Sequence, residues 1–260
     1  MKRVMVVSDA QARLHDKRAV SAVIQVAKDL QPEGLHNVGD ECDCTSIGRW
    51  VRGRSEEHTA NLQKDIDSAR TIMGAFRAAC PDADMIVQRS NHTTTRLENY
   101  INTHAPALST LRGLTWSDLM GYPELGIKLS LQPTPIAPGW VMAHGDEGRS
   151  ATYSAGTALK LAEAIGESVI CGHTHKQGII HNHKAYSGGV KRHLFGVEVG
   201  HLMDMKKASY LKTGGGNWQQ GFAILYVDRG RVIPHLVPII NGGFVVEGKQ
   251  YNVRDYSPIG

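Results

Sequence analysis

The chain has little cysteine: four residues in 260, at Cys42, Cys44, Cys80 and Cys171. So few and so scattered, they exclude a disulfide-built scaffold and suit a reducing compartment. Cys42-Asp43-Cys44 is spaced too tightly for an ordinary structural disulfide. Two small, partly buried side chains are the simpler reading, with a thiolate metal ligand as the alternative. Long apolar runs are missing as well. None approaches the ~18–20 residues that cross a bilayer. Met1-Lys2-Arg3 leads straight into a strand-like run, without the apolar core of a signal peptide. The expectation is a cytoplasmic protein that makes no contact with membrane. Charge of one sign is not concentrated either. A net charge of +4 and a pI of about 8.8 mildly favour anionic partners. They fall short of the basic stripes of a dedicated nucleic-acid binder. Arg49, Arg52 and Arg54 do cluster and could meet a phosphate, or could simply form a solvated helix face. Repeats, low-complexity segments and strong linkers are absent, so residues 1–260 are expected to form a single domain.

What is present reads as an ordinary globular chain. Apolar residues make up 41% and charged residues 21%, which fits a folded protein with a sizeable core. Residues 3–8 read as a buried strand. From His15 to Leu30, Val20, Val23, Ile24, Ala27 and Leu30 fall on one helical face. Pro32 and Gly34 end that helix, and a second strand runs to Val38. This β-α-β opening implies parallel strands with a right-handed crossover. The spacing predicts one long helix over 56–79, closed by Pro81, and a third strand at 85–88. Residues 94–121 read as helical with breaks at Pro106 and Gly113, an insertion over the site. Strands are predicted at 126–131, 140–143 and 168–171, with a helix over 154–165. After His175 the texture turns β-like, with runs at 178–181, 194–199, 221–227, 231–237 and 243–247. The fold class expected is α/β, with two sheets face to face and helices outside.

The chemistry gathers where the apolar runs stop. Met5-Val6-Val7-Ser8 ends at Asp9. Leu35-His36-Asn37-Val38-Gly39 ends at Asp40. Met85-Ile86-Val87-Gln88 leads to Asn91-His92. Trp140-Val141-Met142-Ala143 ends at His144, and Ser168-Val169-Ile170-Cys171 leads to Gly172-His173-Thr174-His175. Layered α/β folds collect ligands at the carboxyl ends of their strands. Oxygen and imidazole donors collected there describe a site for hard or borderline divalent metals. His15, His36, His58, His104, His193, His201 and His235 lack such a context and read as structural or exposed. His181 and His183 follow Gly-His-x-His closely enough to be outer-shell groups. Trp218 reads as a packing residue, and Asp43 as either metal-shell support or a turn residue.

In its order Asp9, Gly39-Asp40, Asn91-His92, His144-Gly145 and Gly172-His173-x-His175, the chain resembles the calcineurin-like metallophosphoesterases. Gly214-Gly215-Gly216-Asn217-Trp218-Gln219-Gln220-Gly221-Phe222 looks like a stretch that small phage-encoded members carry. The resemblance implies a four-layer α/β/β/α sandwich holding two divalent metal ions. It implies Asp9 and His175 at the first metal, Asp40 bridging both, and Asn91, His144 and His173 at the second. His92 would contact the phosphoryl group or leaving oxygen without binding metal. Two departures matter. The family's Asp-x-His is here Asp9-Ala10-Gln11, so Gln11 offers an amide oxygen where an imidazole is usual. The oxygen-richer site favours Mn2+ first, with Mg2+, Fe or Zn2+ as alternatives. The family's Gly-Asn-His-Asp/Glu is here Ser90-Asn91-His92-Thr93. That drops a glycine able to adopt positive φ, and removes an acidic partner for His92.

The activity implied is that of a binuclear, metal-dependent phosphoric diester hydrolase. Two cations roughly 3.5–4 Å apart would lower the pKa of a bridging water and clamp the phosphoryl oxygens for in-line displacement. Small phosphodiesters are the expected substrates, 2′,3′-cyclic nucleotides first, in the host cytoplasm if the protein is phage-encoded. A DNA or RNA nuclease of the same family is the runner-up, and a non-catalytic scaffold on the same fold is the third reading. A phosphoprotein phosphatase fits less well, because Gly39-Asp40-Glu41-Cys42-Asp43-Cys44-Thr45 departs from that branch's Gly-Asp-x-Val-Asp-Arg-Gly. A homo-oligomer is left open.

Overall fold

The computed structural model describes residues 1–207 and 216–260. Gly214 and Gly215 of the glycine-rich stretch lie outside the described residues. Four parallel strands form one side of a first sheet: β1 (Lys2–Val7), β2 (Gly34–Asn37), β3 (Asp84–Gln88) and β4 (Ile127–Ser130). β1 is nearly continuously apolar because both its faces are covered. Alternate side chains go opposite ways. Met5 and Val7 join the core under the helices, whereas Val4 and Val6 join a second core that faces another sheet.

The helices over the outer face are α1 (Lys17–Leu30) and α3 (Leu62–Ala79), with the short α2 (Ser55–Thr59) before the latter. Asp16 starts α1. Its carboxylate accepts from the amides of Arg18 and Ala19 at 3.2 and 3.0 Å, which satisfies donors that the helix itself cannot. Gln31, at φ 44°, and then Pro32 stop it. The helix expected over 56–79 is in fact two. Asn61 is extended and caps α3 by accepting from the Lys64 amide at 3.0 Å, so the chain turns between α2 and α3. The expected insertion is α4 (Thr94–His104) and α5 (Trp116–Met120), with a short 3-10 turn at Pro106–Leu108 between them.

The second sheet runs β5 (Thr134–Ala137), β6 (Trp140–Met142), β7 (Ser168–Cys171), β9 (Gly189–Val199) and β8 (Gln177–Tyr186) in spatial order. β6, β7 and β9 are parallel, and antiparallel β5 and β8 form its edges. Ile170 of β7 faces the first sheet together with Met142 and Val197. Its neighbours Val169 and Cys171 pack instead on α6 (Gly156–Ile165), through Ala158, Leu161 and Ala162. Two further strands, β10 (Gly221–Asp228) and β11 (Arg231–Pro238), complete the first sheet in the order β11-β10-β1-β2-β3-β4. The hairpin β12 (Gly243–Val246) and β13 (Lys249–Asn252) adds Phe244, Val246 and Tyr251 to the core under the helices. The layers are therefore helix, sheet, sheet, helix, as expected. Among the described helices none is long and apolar enough to cross a membrane.

Candidate metal centre

The loops after β1, β2, β3, β6 and β7 bring their polar residues to one place. Hydrogen bonds between loops fix them: the Asp9 amide to the Gly39 carbonyl at 3.1 Å, Gln11 to Asp40 at 2.9 Å, and Gly172 to His144 at 2.9 Å. Such tight loops need unusual backbone. Asp9, Gln11, Asp40, His173 and His175 all have positive φ, at 46°, 44°, 53°, 65° and 58°, a region most side chains avoid. Glycine is required at 172, where a Cβ would overlap Ser8 Oγ and stand 2.5 Å from Asp9 Oδ2. Ser90 is not among the positive-φ residues, so the usual glycine is not needed there. Its hydroxyl instead accepts from the Asp40 amide at 2.9 Å.

All the predicted site residues meet in one chain of contacts. Asn91 Oδ1 lies 2.7 Å from His144 Nε2 and 3.0 Å from His173 Nδ1. Asp40 Oδ2 is 3.3 Å from His144 Nε2. One donor atom each of Asp40, His144 and His173 lies within 4.8 Å of the others. On the other side, Asp9 Oδ1 is 3.1 Å from His175 Nε2, though not aligned as a hydrogen bond. Gln11 Nε2 is 3.2 Å from the same ring nitrogen. Gln11 therefore does face the site. His92 sits beside it: its amide donates to Asp40 Oδ1 at 3.0 Å, and its ring remains partly exposed.

The electrostatics are those of carboxylates and imidazoles pressed together. Burial works against ionising Asp40, but His144, His92 and His173 hold its carboxyl well below the usual range. Burial likewise opposes charge on His144, but the Asp40 carboxylate outweighs it and pushes the imidazole up to about 10. His173 is lowered, by burial and by His144 beside it. The proton that Asp40 holds on His144 stands where a cation would otherwise balance the carboxylate. Asp9 Oδ1, Gln11 Oε1 and His175 Nδ1 are buried without a hydrogen-bond partner, which a native interior rarely allows unless something else binds there. Carboxylate, amide oxygen and imidazole in one buried set fit divalent ions such as Mn2+, Mg2+ or Zn2+.

Sequence reasoning left Asp43 undecided, and the structure gives it a partner. Asp43 Oδ1 is 2.7 Å from His92 Nδ1, and Arg96 donates to the Asp43 carbonyl. The acid missing from position 93 is thus supplied by the loop after β2. Burial opposes charge on Asp43, but His92 and Arg96 keep it ionised below the ordinary range. Glu147 was missed altogether. It accepts from the amides of His144 and Gly145 at 3.0 and 2.6 Å, and only its place three residues after His144 hinted at this. Glu198, fully buried, likewise holds the Thr174 hydroxyl at 2.9 Å. Trp218 packs edge-on against His175 at 4.3 Å between ring centres. Cys42 and Cys44 are buried, with their sulfurs 3.4 Å from each other. His181 and His183 do not approach the centre. They lie on β8, and His181 is about 13 Å of extended chain beyond Gln177.

Compared with models of known protein families, the chain matches none. Among solved structures it is similar to Vps29 from Entamoeba histolytica complexed with Zn2+. The TM-score is 0.46 and the identity 12%, over 96% of this chain and 99% of that one. Vps29 from Chaetomium thermophilum gives a TM-score of 0.44 and 11% identity, over 97% and 99%. Sequence similarity is much stronger to two phage proteins. The Gene 54 protein of Mycobacterium phage D29 is 38% identical over 255 residues, 97% of this chain and 99% of that protein. The Gene 54 protein of Mycobacterium phage L5 is 38% identical over 256 residues, with the same coverage. At that identity, over nearly the full length of both partners, the chain belongs to the family of the mycobacteriophage Gene 54 proteins.

Proposed function

We propose that this chain is a metal-dependent phosphoric diester hydrolase of the calcineurin-like kind, working as one domain in the phage host's cytoplasm on small phosphodiesters. 2′,3′-Cyclic nucleotides are the substrates we put first. The observation that carries this reading is the meeting of Asp9, Asp40, Asn91, His144, His173 and His175 at one buried place, with a paired histidine beside them. Asp9, Gln11 and His175 would hold one cation, Asn91, His144 and His173 another, and Asp40 both. Two bound divalent cations supply Lewis acidity toward the phosphoryl group and an activated water. Mn2+ is the ion that the oxygen donors favour first.

The chain's own residues do the rest. Asp43 occupies Nδ1 of His92, which leaves Nε2 as the nitrogen able to hand a proton to the departing ribose oxygen. The His92 amide fixes the Asp40 carboxylate at 3.0 Å, so the acid and the metal-binding carboxylate keep their spacing. Asn91 would bind a cation through a neutral amide oxygen and so leave its charge uncancelled. A scaffold has no need of the His92–Asp43 pair, and its presence favours an enzyme.

The test is a substrate panel with Mn2+: phosphomonoesters, aryl diesters, 2′,3′- and 3′,5′-cyclic nucleotides, and single- and double-stranded DNA and RNA. Turnover of cyclic nucleotides above the rest supports the proposal. Preference for a polynucleotide would make the protein a nuclease. No turnover of any substrate by metal-loaded protein would make it a scaffold.

A further inference from the structure

Away from the centre, the β8–β9 hairpin carries three histidines that neither the fold nor the proposed chemistry uses. His183 of β8 stands directly opposite His193 of β9, and His181 stands opposite Phe195. Alternation puts His181, His183, His193 and Phe195 on one face of the hairpin. The residues between them turn the other way: Leu194 packs toward α6, and Asn182 reaches Glu163 of that helix. The three imidazoles are exposed, yet they are not loose. The rings of His181 and His193 each lie 4.3 Å from Phe195, which itself stacks on Trp140 at 5.4 Å. The His183 and His193 ring centres are 3.8 Å apart at an interplanar angle of 72°.

We propose that His181, His183 and His193 form a second metal site, separate from the strand-end centre, that takes a borderline divalent transition ion such as Zn2+, Ni2+ or Cu2+. One nitrogen from each ring lies within 4.8 Å of the other two. His181 Nδ1 and His193 Nε2 are already 3.4 Å apart. Tetrahedral Zn2+ with nitrogen at ~2.0–2.1 Å needs ligand atoms about 3.3–3.4 Å apart, so this pair has the required edge and His183 has little distance to close. Among the described residues, none of the three rings forms an ion pair with a carboxylate. An aromatic cross-strand ladder would account for the stacking, but not for three nitrogens converging. Three imidazoles and no oxygen select against Mn2+ and Mg2+ and for the later transition ions. The two sites are thereby sorted by chemistry, and the fourth position of the hairpin site is open to water.

The test uses untagged full-length protein stripped of metal. Bound equivalents and affinity are measured by equilibrium dialysis with Zn2+ for the wild type, His183→Ala/His193→Ala, His181→Ala and His144→Ala. The wild type should bind one equivalent more than the double variant. That equivalent should persist in His144→Ala, which damages only the strand-end centre. His181→Ala should weaken it by at least the roughly 10–100-fold that an outer-shell partner costs. With Cu2+, electron paramagnetic resonance of His144→Ala should show a set of imidazole nitrogen couplings, beyond those of the remaining strand-end rings, that is lost when His183 and His193 are also removed. Thermal unfolding of metal-free His183→Ala/His193→Ala and His181→Ala should match that of the wild type, since the rings replaced in them are exposed. Equal equivalents in the wild type and the double variant would overturn the site. Unchanged affinity in His181→Ala would overturn its three-imidazole composition.

Discussion

At the scale of single residues, the Asp43–His92 contact sets what the imidazole of His92 can do. With Nδ1 held 2.7 Å from a carboxylate, the ring has one tautomer to offer and one orientation. On the proposed two-metal chemistry, His92→Ala is expected to retain both metals, and to lose ~10²–10⁴-fold on a cyclic nucleotide but much less on an aryl diester. A nitrophenolate leaves without a proton, whereas a ribose oxygen does not. Equal losses on the two substrates would assign His92 to binding the phosphoryl oxygens instead. Asp43→Asn is expected to keep metal content and KM while lowering kcat by roughly 10-fold or more, because an amide can hold the opposite tautomer. Gln11→His is expected to tighten Mn2+ at the first site, measured by titrating metal-free protein. Gln11 already points at His175 Nε2 from 3.2 Å, so an imidazole there would meet the same ion. The residues that meet at the centre were legible because each follows an apolar run. The partner of His92 was not: the sequence places Asp43 three residues past Asp40, and only the turn of that loop aims it across at the third strand's end.

At the scale of elements, legibility followed burial. Strands covered on both faces, such as β1 and β7, are nearly unbroken apolar runs, and their limits were read to within a residue or two. The β8–β9 hairpin was seen only at its inner parts. Beyond Ile180 and before Leu194 it carries histidine, lysine, arginine and glycine on exposed faces, and no alternation of apolar residues marks it as strand. β5 and β13 escaped for the same reason, being short and partly exposed edge elements. The break between α2 and α3 turned on a single side chain, Asn61, within an otherwise helical pattern. Caps of this kind are measurable. Asp16→Ala removes the acceptor for two amides of α1 and a contact to Gln220 Nε2 at 3.2 Å. It is expected to lower stability by about 1 kcal/mol in urea unfolding, with cyclic-nucleotide turnover unchanged.

At the scale of the whole molecule, the four layers were readable from the switch between β-α-β and β-rich halves, and the packing confirms why. β1, β3, β7 and β10 each give alternate side chains to two cores. One buried group links this packing to pH. His36 is 3% exposed, its Nδ1 has no hydrogen-bond partner, and burial lowers its pKa to about 4. In the unfolded chain the same imidazole takes a proton below about pH 6.5. Between those values the unfolded state binds more protons, so stability is full above the window and falls as pH drops through it. The contribution is roughly 2 kcal/mol between pH 7 and pH 5. His36→Gln should flatten that part of the urea-unfolding profile, and an unchanged slope would show that His36 stays neutral for no energetic reason of its own. The left-handed backbone at Asp9, Gln11, Asp40, His173 and His175 reaches further still. At about 1–2 kcal/mol for each non-glycine residue, those five positions together oppose folding on the scale of a typical domain's entire stability, ~5–15 kcal/mol. Glycine at any of them would relieve strain while removing a polar side chain from the centre. A library of this gene sorted for heat resistance alone, in metal-free buffer, should therefore drift toward robust, inactive proteins with glycine at these positions. Only a second sort for turnover would hold the centre in place.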